Sequence, residues 1–426
     1  MTQEPYVRTE MLSEQPAPSG QTGIVKWMRV NLFSSISNSI ISLLTILVVI
    51  FALYEFLPWM LQPSWGAESL RECLNDPNIT GACWGVINDR FNQLMFGFYP
   101  HESQWRPLLA FVLMLVAVAP VLFDKLPRKM VWFSALYPFL GVWLLWGGTI
   151  WGPLMVIAGF VIGVVVHKVL SNIVGSLAAI ILSVLVTILW WLYGVGSIAG
   201  ALSGIAPIGI AEVSSSDFGG LMLSITIGVS GIALSLPIGI VLALGRQSDM
   251  FVIKLLSVGF IEFIRGVPLI TLLFTASVLL NFFLPPGTNF DLVLRVIIMV
   301  TIFASAYMAE VIRGGLAALP TGQYEAADAL GLDYWQSMQL IIMPQALKIS
   351  IPGIVGTFIG LFKDTTLVSI IGLLDPVGLI VSIQGTSDWN GIVWELYTFI
   401  ALMFWVFTFS MSRYSMYLEN KLKTSH

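Results

Sequence analysis

The chain has 426 residues, 57% hydrophobic and only 10% charged, where ordinary soluble domains carry roughly 25% charged residues. That balance excludes a soluble globular protein and marks an integral membrane protein. A formal net charge of −4 gives no basic footprint for nucleic acid.

Residues 1–25 are polar, contain Pro5, Pro16, Pro18 and Gly20, and lack the apolar core and cleavage site of a secretory signal. A polar cytoplasmic tail is therefore expected over 1–35, with the first apolar run serving as an uncleaved anchor. A spanning helix needs about 20 mostly apolar residues. Ten such runs lie near 36–58, 106–123, 130–148, 152–167, 173–194, 219–244, 255–283, 292–312, 349–371 and 392–415. The fourth is short and the seventh is long. Cys73 and Cys83 occupy the polar loop after the first run. On an oxidising face their spacing suits a disulfide, and it suits two free thiols equally well. Neither cysteine shows metal-ligand spacing, and His101, His167 and His426 are far apart, so no metal site is expected.

Residues 195–217 are rich in Gly and Ser and read as an external linker. They would divide an N-terminal five-span extension, 36–194, from a second five-span half, 218–418, followed by a short tail, 419–426. The predicted class is an all-α integral membrane protein of about ten transmembrane helices. With both termini inside, the inner segments hold fourteen Lys and Arg residues and the outer ones four. That asymmetry predicts two cytoplasmic termini and places the loop 313–348 on the cytoplasmic side.

That loop breaks the apolar pattern with a helix-prone polar stretch, E-A-A-D-A-L-G-L-D-Y-W-Q-S-M-Q-L-I-I-M-P, at 325–344. Pro320 and Gly322 precede a short predicted helix over 323–330, and Gly331 is placed to stop it as a C-terminal glycine. A second short helix, about 333–342, is expected to run up to Pro344. Alanines 326 and 327 would leave a low, open surface suited to a groove on another protein.

The stretch resembles the EAA loop of ABC-importer permeases: Glu-Ala-Ala, three residues, Gly, nine residues, then Ile-x-Leu-Pro. Glu325, Ala326, Ala327, Gly331, Ile341 and Pro344 stand at the matching positions, with Met343 in place of Leu. A-Y-M-A-E-V-I-R-G-G-L at 306–316, P-Q-A-L at 344–347, F-K-D-T-T-L-V-S-I-I-G at 362–372 and R-G-V-P-L at 265–269 are similar to the polar amino acid uptake branch, the histidine/glutamine-type permeases. The resemblance covers about 218–418. The added N-terminal spans resemble the layout of the larger permease subunit of general L-amino acid importers.

The resemblance implies a type I importer permease core in the bacterial inner membrane, preceded by the N-terminal extension. Its implied partners are a second, shorter permease, a dimer of ATP-binding subunits and a periplasmic amino-acid-binding protein. The chain contains no G-x-x-x-x-G-K-[ST], and no lysine follows a glycine, so a P-loop is absent. No cofactor is expected in this chain, and ATP and Mg belong on the partner subunits. Nor is any catalytic residue, because no nucleophile–base constellation appears. Gly322, Glu325, Ala326, Ala327, Gly331, Ile341 and Pro344 are the expected ATPase-coupling residues. The rival reading is a self-contained secondary amino acid transporter driven by an ion gradient. Inverted repeats would favour it, but the two halves differ sharply in charge.

Charges within apolar runs are expensive and face the bundle interior or a water-filled path. Glu262 with Arg265, and Glu310 with Arg313, are three apart and share a helix face. They read as structural ion pairs. Pro268 signals a local break just beyond. Lys363, Asp364, Thr365 and Thr366 interrupt an apolar run. They serve equally as a lining of the translocation path or as helix-to-helix pairing.

Overall fold

A computed structural model describes residues 23–75, 81–123, 125–279 and 291–422. Most of the tail expected over 1–35, and the last residues of that over 419–426, lie outside this set. Apolar segments that must satisfy their own backbone hydrogen bonds away from water become helices. Among the described residues, nine helices are long and apolar enough to cross a membrane, and a bent pair brings the number to ten.

The chain divides into two compact units, Met1–Gly85 and Val86–His426. The first contains α1 (Gly23–Asn31), α2 (Ile36–Leu61) and α3 (Leu70–Asn75). Ser35 caps α2, its hydroxyl accepting from the Asn38 amide. None of the 26 residues of α2 is buried. Beyond it, Cys73 and Cys83 form a disulfide with Cα atoms 6.0 Å apart. Trp65 stacks on Trp84 beside it, ring centroids 5.8 Å apart.

The second unit carries α4 (Gly85–Phe96, its first residue at the boundary), α5 (Trp105–Leu122), α6 (Val131–Trp146), α7 (Trp151–Val174), α8 (Ser176–Leu189) and α9 (Val195–Ile205). Then come α10 (Gly220–Gln247), α11 (Phe251–Gly266), α12 (Leu269–Phe274) and α13 (Leu292–Ala317). The series ends with α14 (Thr321–Ala329), α15 (Tyr334–Ser337), α16 (Met343–Asp364), α17 (Pro376–Gln384) and α18 (Trp394–Leu422). A two-stranded antiparallel ladder pairs β1 (Gly148–Thr149) with β2 (Gly209–Ile210).

Three expected boundaries change. The short fourth run extends to Val174, because Lys168 lies near the helix end and leaves its head exposed. The Gly- and Ser-rich stretch 195–217 is not a linker throughout. It is helical as far as Ile205, continuing α8 through a π-turn at Trp190–Gly194. The small residues there satisfy their backbone within the helix, and composition alone did not register that. The seventh run is two helices, α11 and α12, bent by 100° where Pro268 starts the second.

Spans α5 and α6 pack directly into the C-terminal half. Tyr99, Ala110, Leu144 and Leu145 from the α5–α6 region share one core with Phe218, Leu223, Val296, Leu361 and Val368. Polar bonds reinforce it. Tyr99 donates to the Leu145 carbonyl at 2.9 Å, and the Trp146 indole donates to Asp291 at 3.1 Å. The fully buried Trp389 donates to Asp89 at 2.7 Å. Backbone meets backbone where Gly97 bridges to Phe218, Gly219 bridges to Leu374 and the Gly220 amide donates to the Leu374 carbonyl at 2.8 Å. Gly220 has φ +58°, and a Cβ there would collide with the Leu94 carbonyl.

Helices α10 and α13 form the central pair of the C-terminal half. A Cβ on Gly239 would stand 2.7 Å from the Met308 Cβ, so glycine sets the closeness of these two backbones. A second core, around Ala243, Met308, Ile312, Leu316, Ile342 and Ala346, lies at the end of the bundle where α13 meets the 313–348 loop.

Candidate functional site: the 313–348 loop and its ion-pair cluster

Pro320 opens α14, and the end of this short helix is fully determined. The Gly331 amide donates to the Asp328 carbonyl at 2.9 Å and the Leu332 amide to the Ala327 carbonyl at 3.3 Å, with Gly331 at φ +71°. This is the Schellman arrangement, with the glycine in the left-handed position. Two residues later Asp333 caps α15 in a reciprocal box. Its carboxylate accepts from the Gln336 amide at 2.8 Å, and the Gln336 side chain accepts from the Asp333 amide at 3.1 Å.

The second helix does not stop at Pro344 as expected. It passes through a π-turn, Met338–Ile342, and runs on into α16. Proline lacks the amide hydrogen that would reach back to residue 340, and the wider turn absorbs that missing bond. The two arms are clamped together. The Gln345 side-chain amide donates to the Gln323 side-chain oxygen at 2.9 Å and to the Ile341 carbonyl at 3.0 Å.

Gly322, Glu325, Ala326 and Pro344 are exposed, Ile341 is half-buried, and Ala327 is completely buried. The expectation that both alanines form an open surface therefore fails at Ala327. One helical step places Ala326 outward and its neighbour against the underlying core. The exposed apolar surface comes instead from Leu330 (73% exposed), Tyr334, Trp335 (63%) and Leu340 (70%). Sequence reasoning passed over these four. An apolar or aromatic residue every four or five positions in a polar loop was the available signal.

The two predicted ion pairs form, and they merge. Glu262 lies 3.8 Å from Arg265, and Glu310 lies 3.2 Å from Arg313. Arg265 also faces Glu310 at 3.7 Å. Arg246, from the last turn of α10, joins the pairs through one nitrogen. Its Nη1 is 2.7 Å from Glu262 and 2.9 Å from Glu310. Only the Glu262 contact is aligned as a hydrogen bond; Glu310 Oε1 has none. The Arg265 guanidinium also rides over the Tyr307 ring at 5.7 Å. Arg246 is one of the fourteen inner basic residues, and a partner sixteen residues away leaves no helical spacing to read.

Lys363, Asp364, Thr365 and Thr366 lie where α16 tightens into a 3-10 turn over Thr365–Ile371. Thr365 is buried and its hydroxyl donates to the Phe362 carbonyl at 2.7 Å. Thr366 donates to the Lys363 carbonyl at 2.9 Å. Both hydroxyl protons are thus committed to the helix turn. Lys363 is exposed and Asp364 half-buried. They are brought together with each other, not with the ion-pair cluster.

A polytopic helical bundle with a clamped surface loop has the architecture of the membrane component of a transporter. Comparison with known proteins agrees. Residues 235–424 match the family described as binding-protein-dependent transport system inner membrane component. The glutamate/glutamine/aspartate/asparagine transport system permease protein BztC of Rhodobacter capsulatus is 56% identical over 433 residues, covering 100% of both chains. The inner membrane amino-acid ABC transporter permease protein YhdY of Escherichia coli is 39% identical, covering 97% of this chain and 98% of that one. The probable glutamine ABC transporter permease protein GlnP of Bacillus subtilis is 33% identical over 202 residues, 47% of this chain but 90% of its own length. The chain belongs to the family of binding-protein-dependent ABC importer inner membrane components, as an amino acid permease. The short relative shows that a permease can consist of little more than half this length.

Proposed function

We propose that this chain is the larger of two different permease subunits in an importer for acidic amino acids and their amides. Partner subunits bind ATP and Mg and hydrolyse the nucleotide, and a periplasmic binding protein delivers the substrate. The substrate class follows the name of the BztC relative, which aligns along its whole length. The observation that carries the coupling role is the loop itself. Its two arms are fixed by a Schellman turn, a capping box and the Gln323–Gln345 clamp. A preorganised apolar and aromatic face on that frame is suited to a groove on a partner protein.

In this reading Gly322, Glu325, Ala326, Gly331, Ile341 and Pro344 shape the cytoplasmic coupling loop. Ala327 seats it on the core. Leu330, Tyr334, Trp335 and Leu340 make the contact. Both termini are cytoplasmic. ATP binding draws the loops of the paired permeases together, the core opens outward, and hydrolysis resets it. The loop must bind differently in the two states, because equal affinity shifts no equilibrium. Lys363 and Asp364 keep polar heads available to a zwitterionic substrate.

The experiment is purification through a tag on this chain, identification of the bound subunits, and reconstitution in vesicles. ATP-dependent uptake that survives collapse of sodium and proton gradients supports the reading. Uptake by the chain alone, driven by either gradient, overturns it. Trp335→Glu with Leu330→Glu is expected to release the ATP-binding subunits while leaving membrane insertion intact.

A further inference from the structure

The ion-pair cluster joins three helices at a position the coupling loop alone does not explain. Arg246 is on α10, Glu262 and Arg265 are on α11, and Glu310 and Arg313 are on α13, which leads directly into the loop. Arg265 is three residues before Pro268, where the chain turns through 100°. One end of the cluster therefore touches the helix that the loop extends, and the other touches the helix that breaks.

The helices are not equally free. The α10–α13 contact is the most extensive between helices among the described residues, with Gly239 closed against Met308. Against this fixed pair, α11 is the lighter element. Among the described residues two charged contacts tie it to that pair, Arg246–Glu262 at 2.7 Å and Arg265–Glu310 at 3.7 Å, and Glu262 is 52% exposed. Exposed ion pairs are weak and easily exchanged. Arg246 presents one nitrogen to two carboxylates and forms an aligned hydrogen bond to only one. That is an arrangement with an evident alternative: the same donor turned to Glu310, with Glu262 released.

We propose that Arg246 is a positioning residue that passes movement of the 313–348 loop to the broken helix α11 by exchanging its hydrogen bond between Glu262 and Glu310. This rests on the loop being the ATPase contact. When α13 shifts with the loop, Glu310 and Arg313 move relative to Arg246, and α11 swings about the Gly266–Pro268 break. The odd charge of the cluster, three arginines to two glutamates, keeps a guanidinium available to whichever carboxylate is released.

The test uses the complete complex in vesicles, with loaded binding protein and spin labels on Leu256→Cys and Gly314→Cys. Both positions lie on the surface of the bundle, and the two native cysteines are disulfide-bonded. The parent is expected to change its label separation between the nucleotide-free and ATP-bound states. Arg246→Met should abolish that change and lower uptake per ATP about fivefold or more, with hydrolysis held within about twofold, as loss of a coupling energy requires. Arg246→Lys, which keeps the charge, should restore most of the change. If Arg246→Met does not assemble, Glu262→Gln is expected to act in the same direction. The proposal is overturned if Arg246→Met behaves as the parent, or if hydrolysis and uptake fall in equal ratio in both arginine variants. It is also overturned if Glu262→Gln has no effect in the fallback, or if a working parent shows no change in separation. A parent complex that hydrolyses no ATP would instead remove the functional reading on which the proposal stands.

Discussion

Gly331 offers a direct measurement of how much the shape of the coupling loop matters. It stands at φ +71°, and a Cβ built there meets nothing within 4 Å. Steric collision inside this chain therefore cannot explain an effect of substitution; the cost is purely conformational. An L-residue in the left-handed region loses about 1–2 kcal/mol, with asparagine at the low end and β-branched residues worse. The series Gly331→Asn, Gly331→Ala, Gly331→Val should thus weaken the Schellman turn in that order. The Leu332 amide, bonded to the Ala327 carbonyl at 3.3 Å, is the local reporter. Its hydrogen-exchange protection should fall about tenfold for each 1.4 kcal/mol lost. Uptake per ATP should follow the same ranking, with membrane insertion unchanged. If asparagine proves worse than alanine, bulk at a docking surface matters and not backbone shape. If valine matches glycine in both assays, the turn has no role in coupling.

Three further outcomes follow from buried groups and from the disulfide. Asp89→Ala leaves the indole N–H of buried Trp389 without its 2.7 Å partner; a loss of about 1–3 kcal/mol is expected, read as a lower unfolding temperature in detergent. Asp375 is completely buried and caps α17, and burial outweighs its backbone hydrogen bonds to push its pKa from 3.8 up to about 6. A raised carboxylate pKa leaves the folded state unpenalised below the unfolded pKa. Stability is then lost as pH rises through about 6. Asp375→Asn, which keeps a capping oxygen, should therefore gain stability relative to the parent at pH 8 and lose that advantage by about pH 4. A constant difference across pH in thermal melts would refute this. Cys83→Ser opens the Cys73–Cys83 loop and should raise protease cleavage within 62–85; unchanged cleavage would show that the disulfide does not hold this loop in shape.

Much of the loop was readable because its signals are local. Gly331 as a helix stop, Pro268 as a break and the i,i+3 pairs each depend on residues within a few positions. What escaped depends on distance in sequence or on a choice between similar helical geometries. Arg246 meets carboxylates sixteen and sixty-four residues away. The π-turns at 190–194 and 338–342 continue helices where glycine content and Pro344 suggest ends. The joining of α5 and α6 to the C-terminal half depends on complementary apolar surfaces, and in a chain this hydrophobic every helix carries one. Ala327 could not be told from Ala326 by type, since only the helix's rotation over its core separates them.

The run from Tyr334 to Ile371 spans 38 residues without a break sharp enough to divide it. At 1.5 Å per residue that is about 57 Å of nearly continuous helix, with its foot in the surface loop. Over such a length a small angle becomes a large displacement: tilting the run about its foot by about 10° moves the far end by roughly 10 Å. A tilt of the run about the surface loop therefore carries Lys363 and Asp364, near the opposite end, farther than any residue close to the loop.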